Sequence, residues 1–110
     1  MTASTVSVEY VTQAELNSLI ESTELLVMDF TATWCGPCRV VAPMMERLAA
    51  ENRDRVKVVK VDIDQHRDCA TQLQIRSLPT VLMFKAGQEV ERLIGSKPYG
   101  EFDKALQQHL

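Results

Sequence analysis

Leu25-Leu26-Val27-Met28-Asp29-Phe30 runs directly into Thr31-Ala32-Thr33-Trp34-Cys35-Gly36-Pro37-Cys38, and the rest of the chain can be placed around this stretch. The first six residues are nearly all apolar, the mark of a strand covered on both faces. A helix is expected to follow from about Cys35 to Asn52, with Val41, Met44, Met45 and Leu48 as its apolar stripe. Pro43 lies inside that span and predicts a kink, because proline removes an intrahelical hydrogen bond. A pair of cysteines therefore sits where an apolar strand ends and a helix begins.

Working outward, Val6 to Tyr10 reads as a short first strand. Thr12-Gln13-Ala14-Glu15 fits a capping box, with Val11 and Leu16 placed for a hydrophobic staple and Leu19 and Ile20 continuing at helical spacing. Downstream, Val56 to Asp62 reads as a strand, His66 to Leu73 as a short helix, and Thr80 to Lys85 as another strand. Ala86-Gly87-Gln88 is a turn, so Glu89 to Ile94 should pair back as a hairpin. Phe102, Ala105, Leu106 and Leu110 predict a terminal amphipathic helix. Alternating strands and helices make an α/β pattern.

The chain has 110 residues, enough for one domain, with 45% hydrophobic and 25% charged residues. A domain of that size can build a core without disulfide staples. Net charge is −3, which argues against nucleic acid or an anionic membrane as the main partner. No stretch is long and apolar enough to span a bilayer. The first residues show neither the basic nor the apolar region of a secretory signal, so a cytoplasmic protein is expected. Three cysteines at low density do not suggest a secreted disulfide framework.

Cys35 and Cys38 are three positions apart, which puts both sulfurs on one helical face within disulfide reach. The helix N-terminus offers unpaired N–H groups and partial positive charge, favouring thiolate over thiol, and Arg39 adds charge next door. Cys35, at the tip and exposed by the Gly36-Pro37 turn, is the expected nucleophile. Cys38, one turn inside, is expected to resolve the mixed disulfide. The competing reading is half of a zinc site, completed by His66 and Cys69. A C-x-x-C beside a β–α pattern in a cytosolic chain favours redox chemistry, with no metal.

Trp34-Cys35-Gly36-Pro37-Cys38-Arg39 resembles the active-site signature of the thioredoxin family. The resemblance extends over nearly the whole chain, through Val27 to Phe30, Ala42-Pro43, Lys60-Val61-Asp62-Ile63-Asp64, Ser77-Leu78-Pro79-Thr80 and Ile94-Gly95. It implies one thioredoxin domain over residues 1–110, with a central mixed five-stranded sheet flanked by four helices. It implies a general protein-disulfide reductase without a cofactor, a monomer recycled by a thioredoxin reductase and acting on many disulfide-bearing proteins. Gly36 and Pro37 would tune the redox potential. Pro79, after a cis bond, would face the cysteines, and Trp34, Ser77, Leu78 and Gly95 would complete an apolar docking groove.

Asp29 interrupts an apolar strand, where a carboxylate is costly unless paired. A solvent-turned aspartate is one reading. The resemblance implies a buried group with raised pKa that exchanges a proton with Cys38. Lys60 matches a lysine near that aspartate, and by itself could be an ordinary snorkelling side chain. Trp34 beside the motif reads as a surface group rather than core. Cys69 shares a helical face with His66, Ala70 and Leu73. A small buried hydrophobe is the favoured reading, ahead of a second redox-sensing thiol. Thr31 stands where many thioredoxins carry tryptophan, and Thr33 where an acidic or polar residue is common, which bears on potential and partner range. Two further classes remain: an exported oxidant or isomerase of the same fold, and a binding module that uses the groove without turnover.

Overall fold

The computed structural model describes residues 8–110. Val6 and Ser7 of the expected first strand lie outside them, and the described part of that strand is β1 (Glu9–Tyr10). Then come α1 (Gln13–Ser22), β2 (Leu25–Thr31), α2 (Gly36–Glu51), β3 (Lys57–Asp62), α3 (Arg67–Gln72), β4 (Thr80–Lys85), β5 (Gln88–Ile94) and α4 (Tyr99–Gln107). The sheet has five strands in the order β1-β3-β2-β4-β5. β1, β3 and β2 run parallel, whereas β4 and β5 are antiparallel to their neighbours. This is the mixed five-stranded sheet with four helices expected from the sequence.

Side chains on a strand alternate between faces, and β2 shows what that does here. Leu25 and Val27 join a core with Val41, Met45 and Leu48 of α2 and Phe102 and Leu106 of α4. Leu26, Met28 and Phe30 join another with Leu16 and Ile20 of α1 and Cys69 of α3. Both faces are covered, which is why β2 reads as an unbroken apolar run. Burying a side chain such as Leu48 or Phe102 completely stabilises the fold by about 1.5–3 kcal/mol. By the same alternation Asp29 points to the α2 side.

The local signals account for the ends of the elements. The Thr12 N–H donates to Glu15 Oε1 at 2.9 Å, closing the capping box of α1, and Val11 and Leu16 are buried in one cluster. α2 passes through Pro43 as one helix of 16 residues, so the proline does not break it. Ala86 and Gly87 both have positive φ (50° and 85°), the pattern of a two-residue type I′ hairpin turn. β5 carries a bulge: Met83 faces Glu91 and Phe84 faces Glu89, leaving Val90 between. Leu110 lies beyond α4 and is 41% exposed, so the expected apolar stripe stops at Leu106. The Tyr99 hydroxyl donates to Glu51 at 2.6 Å while Arg47 lies 3.9 Å over its ring, bracing α4 against α2.

Candidate active site

Cys35 is the N-cap of α2. Its backbone is extended (φ −88°, ψ 109°), and its Sγ accepts a hydrogen bond from the Cys38 N–H at 3.2 Å. At this end the helix presents unpaired N–H groups and the positive pole of its dipole, which favours a negative sulfur. Pro37 falls in the first turn, where a missing N–H costs nothing. Cys35 and Cys38 form a disulfide with Cα atoms 5.3 Å apart, as the one-turn spacing allows.

The exposure expected for Cys35 is not found. Cys35 keeps 5% of its surface against 2% for Cys38, because Ala32, Ile63 and Leu78 close around the disulfide. What distinguishes the two sulfurs is access. Cys35 lines a groove of about 370 Å³, and Cys38 is absent from its lining. Trp34, Gly36 and Pro37 contribute one part of that lining and the segment Ile75–Leu78 another.

Trp34 is 66% exposed, and its indole N–H donates to Asp64 Oδ2 at 2.7 Å. It is therefore a held surface group, as expected. Of the other docking residues expected from the resemblance, Ser77 and Leu78 line the groove. Pro79 follows a cis peptide bond, as expected, but is buried and outside the lining. Gly95 is outside it too, and its N–H donates to the Pro79 carbonyl at 2.8 Å. Its φ of +91° suits a residue without Cβ. Ile63, Ile75 and Arg76 also line the groove. Sequence reasoning missed them, since nothing in their local pattern separates them from ordinary loop or strand-end residues.

Asp29 is 2% exposed, and its Oδ1 has no hydrogen-bond partner, so the solvent-turned alternative fails. Burial pushes its carboxyl pKa up to about 7, and the positive charge of Lys60 opposes the rise. Lys60 is the register partner of Asp29 across β2 and β3, which places it on the same face. Its Nζ lies 4.3 Å over the Tyr10 ring, a cation–π contact at the sheet edge.

Cys69 is fully buried in α3, packed in the core cluster with Leu16, Met28 and Phe30. Burial and the neighbouring Asp68 carboxylate push its thiol pKa up. The zinc set does not assemble: Cys35 and Cys38 are joined to each other, and Cys69 belongs to the core on the opposite face of the sheet. Among the described residues no group of three or more His, Cys, Asp or Glu side chains is placed to hold a metal ion.

Two sulfurs close enough to bond, held at the positive end of a helix, can as a dithiol exchange with disulfides presented along the groove. Fold and site together define the class of thiol–disulfide oxidoreductases. A family model described as Thioredoxin matches residues 7–108. A thioredoxin of Staphylococcus aureus is 40% identical over 100 residues, covering 91% of this chain and 95% of that one. Among solved structures, thioredoxin of Malassezia sympodialis matches with a TM-score of 0.89 at 31% identity, covering 99% and 96% of the two chains. Thioredoxin of Fasciola hepatica matches with a TM-score of 0.83 at 36% identity, covering 94% and 99%. The chain belongs to the thioredoxin family. Thioredoxins act as protein disulfide oxidoreductases and work with a thioredoxin reductase and disulfide-bearing targets.

Proposed function

We propose that the protein is a general protein-disulfide reductase in which Cys35 is the nucleophile, Cys38 the resolving thiol and Asp29 the proton-transfer group. The placement of Cys35 carries this reading: it caps α2 and opens onto the groove, while Cys38 is closed off one turn inside.

In the dithiol state the Cys35 thiolate attacks one sulfur of a target disulfide. The target S–S bond breaks, its other sulfur leaves as a thiolate that takes up a proton, and a Cys35–target disulfide forms. Cys38 loses its proton, attacks the Cys35 sulfur, and expels the second target thiolate. Two electrons have passed from the protein to the target. Asp29, buried on the α2 side of the sheet, has a pKa of about 7 that suits it to accept the Cys38 proton and return it. Lys60 tunes that carboxyl, and Gly36 and Pro37 set the turn that fixes the two sulfurs.

The target backbone runs over Ser77 and Leu78 and against Trp34, with Pro79 and Gly95 supporting the segment. A thioredoxin reductase returns the two electrons to the Cys35–Cys38 disulfide. The whole chain, 1–110, works as one monomeric domain in the cytoplasm, with no nucleic-acid or membrane partner. Its net charge of −3 supports that last point, and no helix among the described residues is long and apolar enough to cross a membrane.

The test is reduction of insulin disulfides with dithiothreitol as electron donor. Turnover well above the dithiothreitol background is expected, and its absence would overturn the reading. In Cys38→Ser the reaction should stop at a Cys35–insulin mixed disulfide, seen by mass spectrometry.

A further inference from the structure

The segment that forms one wall of the groove, Ile75 to Leu78, begins at an unusual joint. α3 ends at Gln72, and Gln74 follows with φ +56°, in the left-handed region. The Ile75 N–H reaches the Ala70 carbonyl at 2.8 Å and the Gln74 N–H the Thr71 carbonyl at 3.2 Å. This pair of bonds is a Schellman cap, whose left-handed position is usually glycine. Here a residue with a Cβ holds it, against its own steric preference.

Arg92 of β5 meets this joint from the sheet. Its Nη2 donates to the Leu73 carbonyl at 2.8 Å and its Nη1 to the Gln74 carbonyl at 3.1 Å. On its other side the same guanidinium makes a two-point contact with Glu89, Nε to Oε2 at 2.8 Å and Nη2 to Oε1 at 2.9 Å. The side chains of Arg92 and Glu89 keep only 29% and 34% of their surface, so the pair is more sheltered than an ordinary surface bridge. The far end of the wall is tied separately, by the Thr80 hydroxyl donating to the Ser77 carbonyl at 2.7 Å and by Gly95 donating to Pro79.

We propose that Arg92, held by Glu89, is a positioning residue for target binding: it clamps the left-handed turn at Gln74 and so fixes the direction in which the groove wall sets out. The inference rests on the disulfide-reductase reading, because an extended target chain runs along more of the wall than a small disulfide that meets it only at Leu78 beside Cys35. Arg92 touches neither sulfur nor groove, and its effect passes through the Leu73 and Gln74 carbonyls. A lysine cannot replace it, since one ammonium cannot serve two carbonyls and both oxygens of a carboxylate.

The test measures steady-state reduction of insulin by the full chain with dithiothreitol as electron donor, against the rate at which the pre-reduced, desalted full chain reduces a small aryl disulfide, dithiobis(nitrobenzoate). In Arg92→Ala the KM for insulin should rise about fivefold with kcat within about twofold, so the insulin-to-aryl rate ratio falls by the same factor. This is near 1 kcal/mol of lost binding. Arg92→Lys should show the same split and carries the test if the alanine variant folds poorly. Adding Gln74→Gly, which supports a left-handed turn unaided, should restore the ratio in either background. An unchanged insulin KM in both Arg92 variants, an equal loss on both disulfides, or no rescue by Gln74→Gly would overturn the positioning role. A parent chain inactive on either disulfide would instead sink the reductase reading itself.

Discussion

On the side of the sheet covered by α2 and α4, a carboxyl and an amine, Asp29 and Lys60, break the apolar rows of β2 and β3, and the Cys35–Cys38 disulfide lies at the rim. On the side covered by α1 and α3, the same two strands bury Leu26, Met28, Phe30, Val59 and Val61, with Lys57 exposed at the start of β3, and the cysteine there, Cys69, is one more apolar filler. Cys38 and Cys69 are buried almost alike, 2% and 0% exposed. Burial therefore does not tell a reactive cysteine from an inert one. A bonding partner does: each is the third residue of its helix, but Cys38 is bonded to Cys35 at the cap of α2, whereas Cys69 has only the Asp68 carboxylate beside it.

The largest test of this contrast exchanges one cysteine on each side. Cys35→Ser should reduce insulin turnover to the assay background, while Cys69→Ala should keep full turnover. Loss of turnover in the Cys69 variant would break the division between the two sides.

A second test compares stability. Leu16→Ala, on the α1 side, removes a fully buried side chain and should cost about 2–5 kcal/mol at any pH in denaturant unfolding. Asp29→Asn, on the α2 side, should act in the other direction and depend on pH. A carboxyl held at about 7 in the folded state, against 3.8 in the unfolded chain, keeps its proton longer when folded. Unfolding therefore releases a proton between those values, and wild-type stability falls as pH rises through that window, by a few kcal/mol in all (roughly 1.4 kcal/mol per unit). The asparagine variant escapes this loss. It should be the more stable protein at pH 8, with the difference vanishing toward pH 4. A difference that does not change with pH would mean that burial does not raise the Asp29 pKa.

Alkylation of the reduced native protein with iodoacetamide should label Cys35 and leave Cys69 unmodified, since burial and a raised pKa both slow it. Ready labelling of Cys69 would revive the redox-sensing alternative. The smallest effect belongs to Lys60→Met: removing its positive charge should move the Asp29 titration to higher pH, followed by carboxyl-carbon NMR. No movement would show that Lys60 serves the edge of the sheet through Tyr10 alone.

Much of the fold was legible because its signals are local. The apolar run of β2, the Thr12–Glu15 box and the Ala86-Gly87 turn each act within a few residues, and each appears where the sequence placed it. Ends were less legible: Leu110 continues the apolar spacing of α4 but lies beyond the helix and outside the core, 41% exposed. At the site, Cys35 and Cys38 could be singled out from spacing alone. The burial of Cys35 could not, because Ile63 and Leu78, which cover it, come from distant segments.

The sequence by itself determined which residues form strands and helices and which two cysteines can bond, since hydrophobic period, capping and one-turn spacing are properties of neighbours along the chain. Tertiary structure alone decided which face Asp29 joins, which sulfur opens onto the groove, and that Arg92 meets the Leu73 and Gln74 carbonyls across 18 to 19 residues of sequence. Dielectric, access and long-range hydrogen bonds depend on what lies nearby in space, and only the packed sheet brings those groups together.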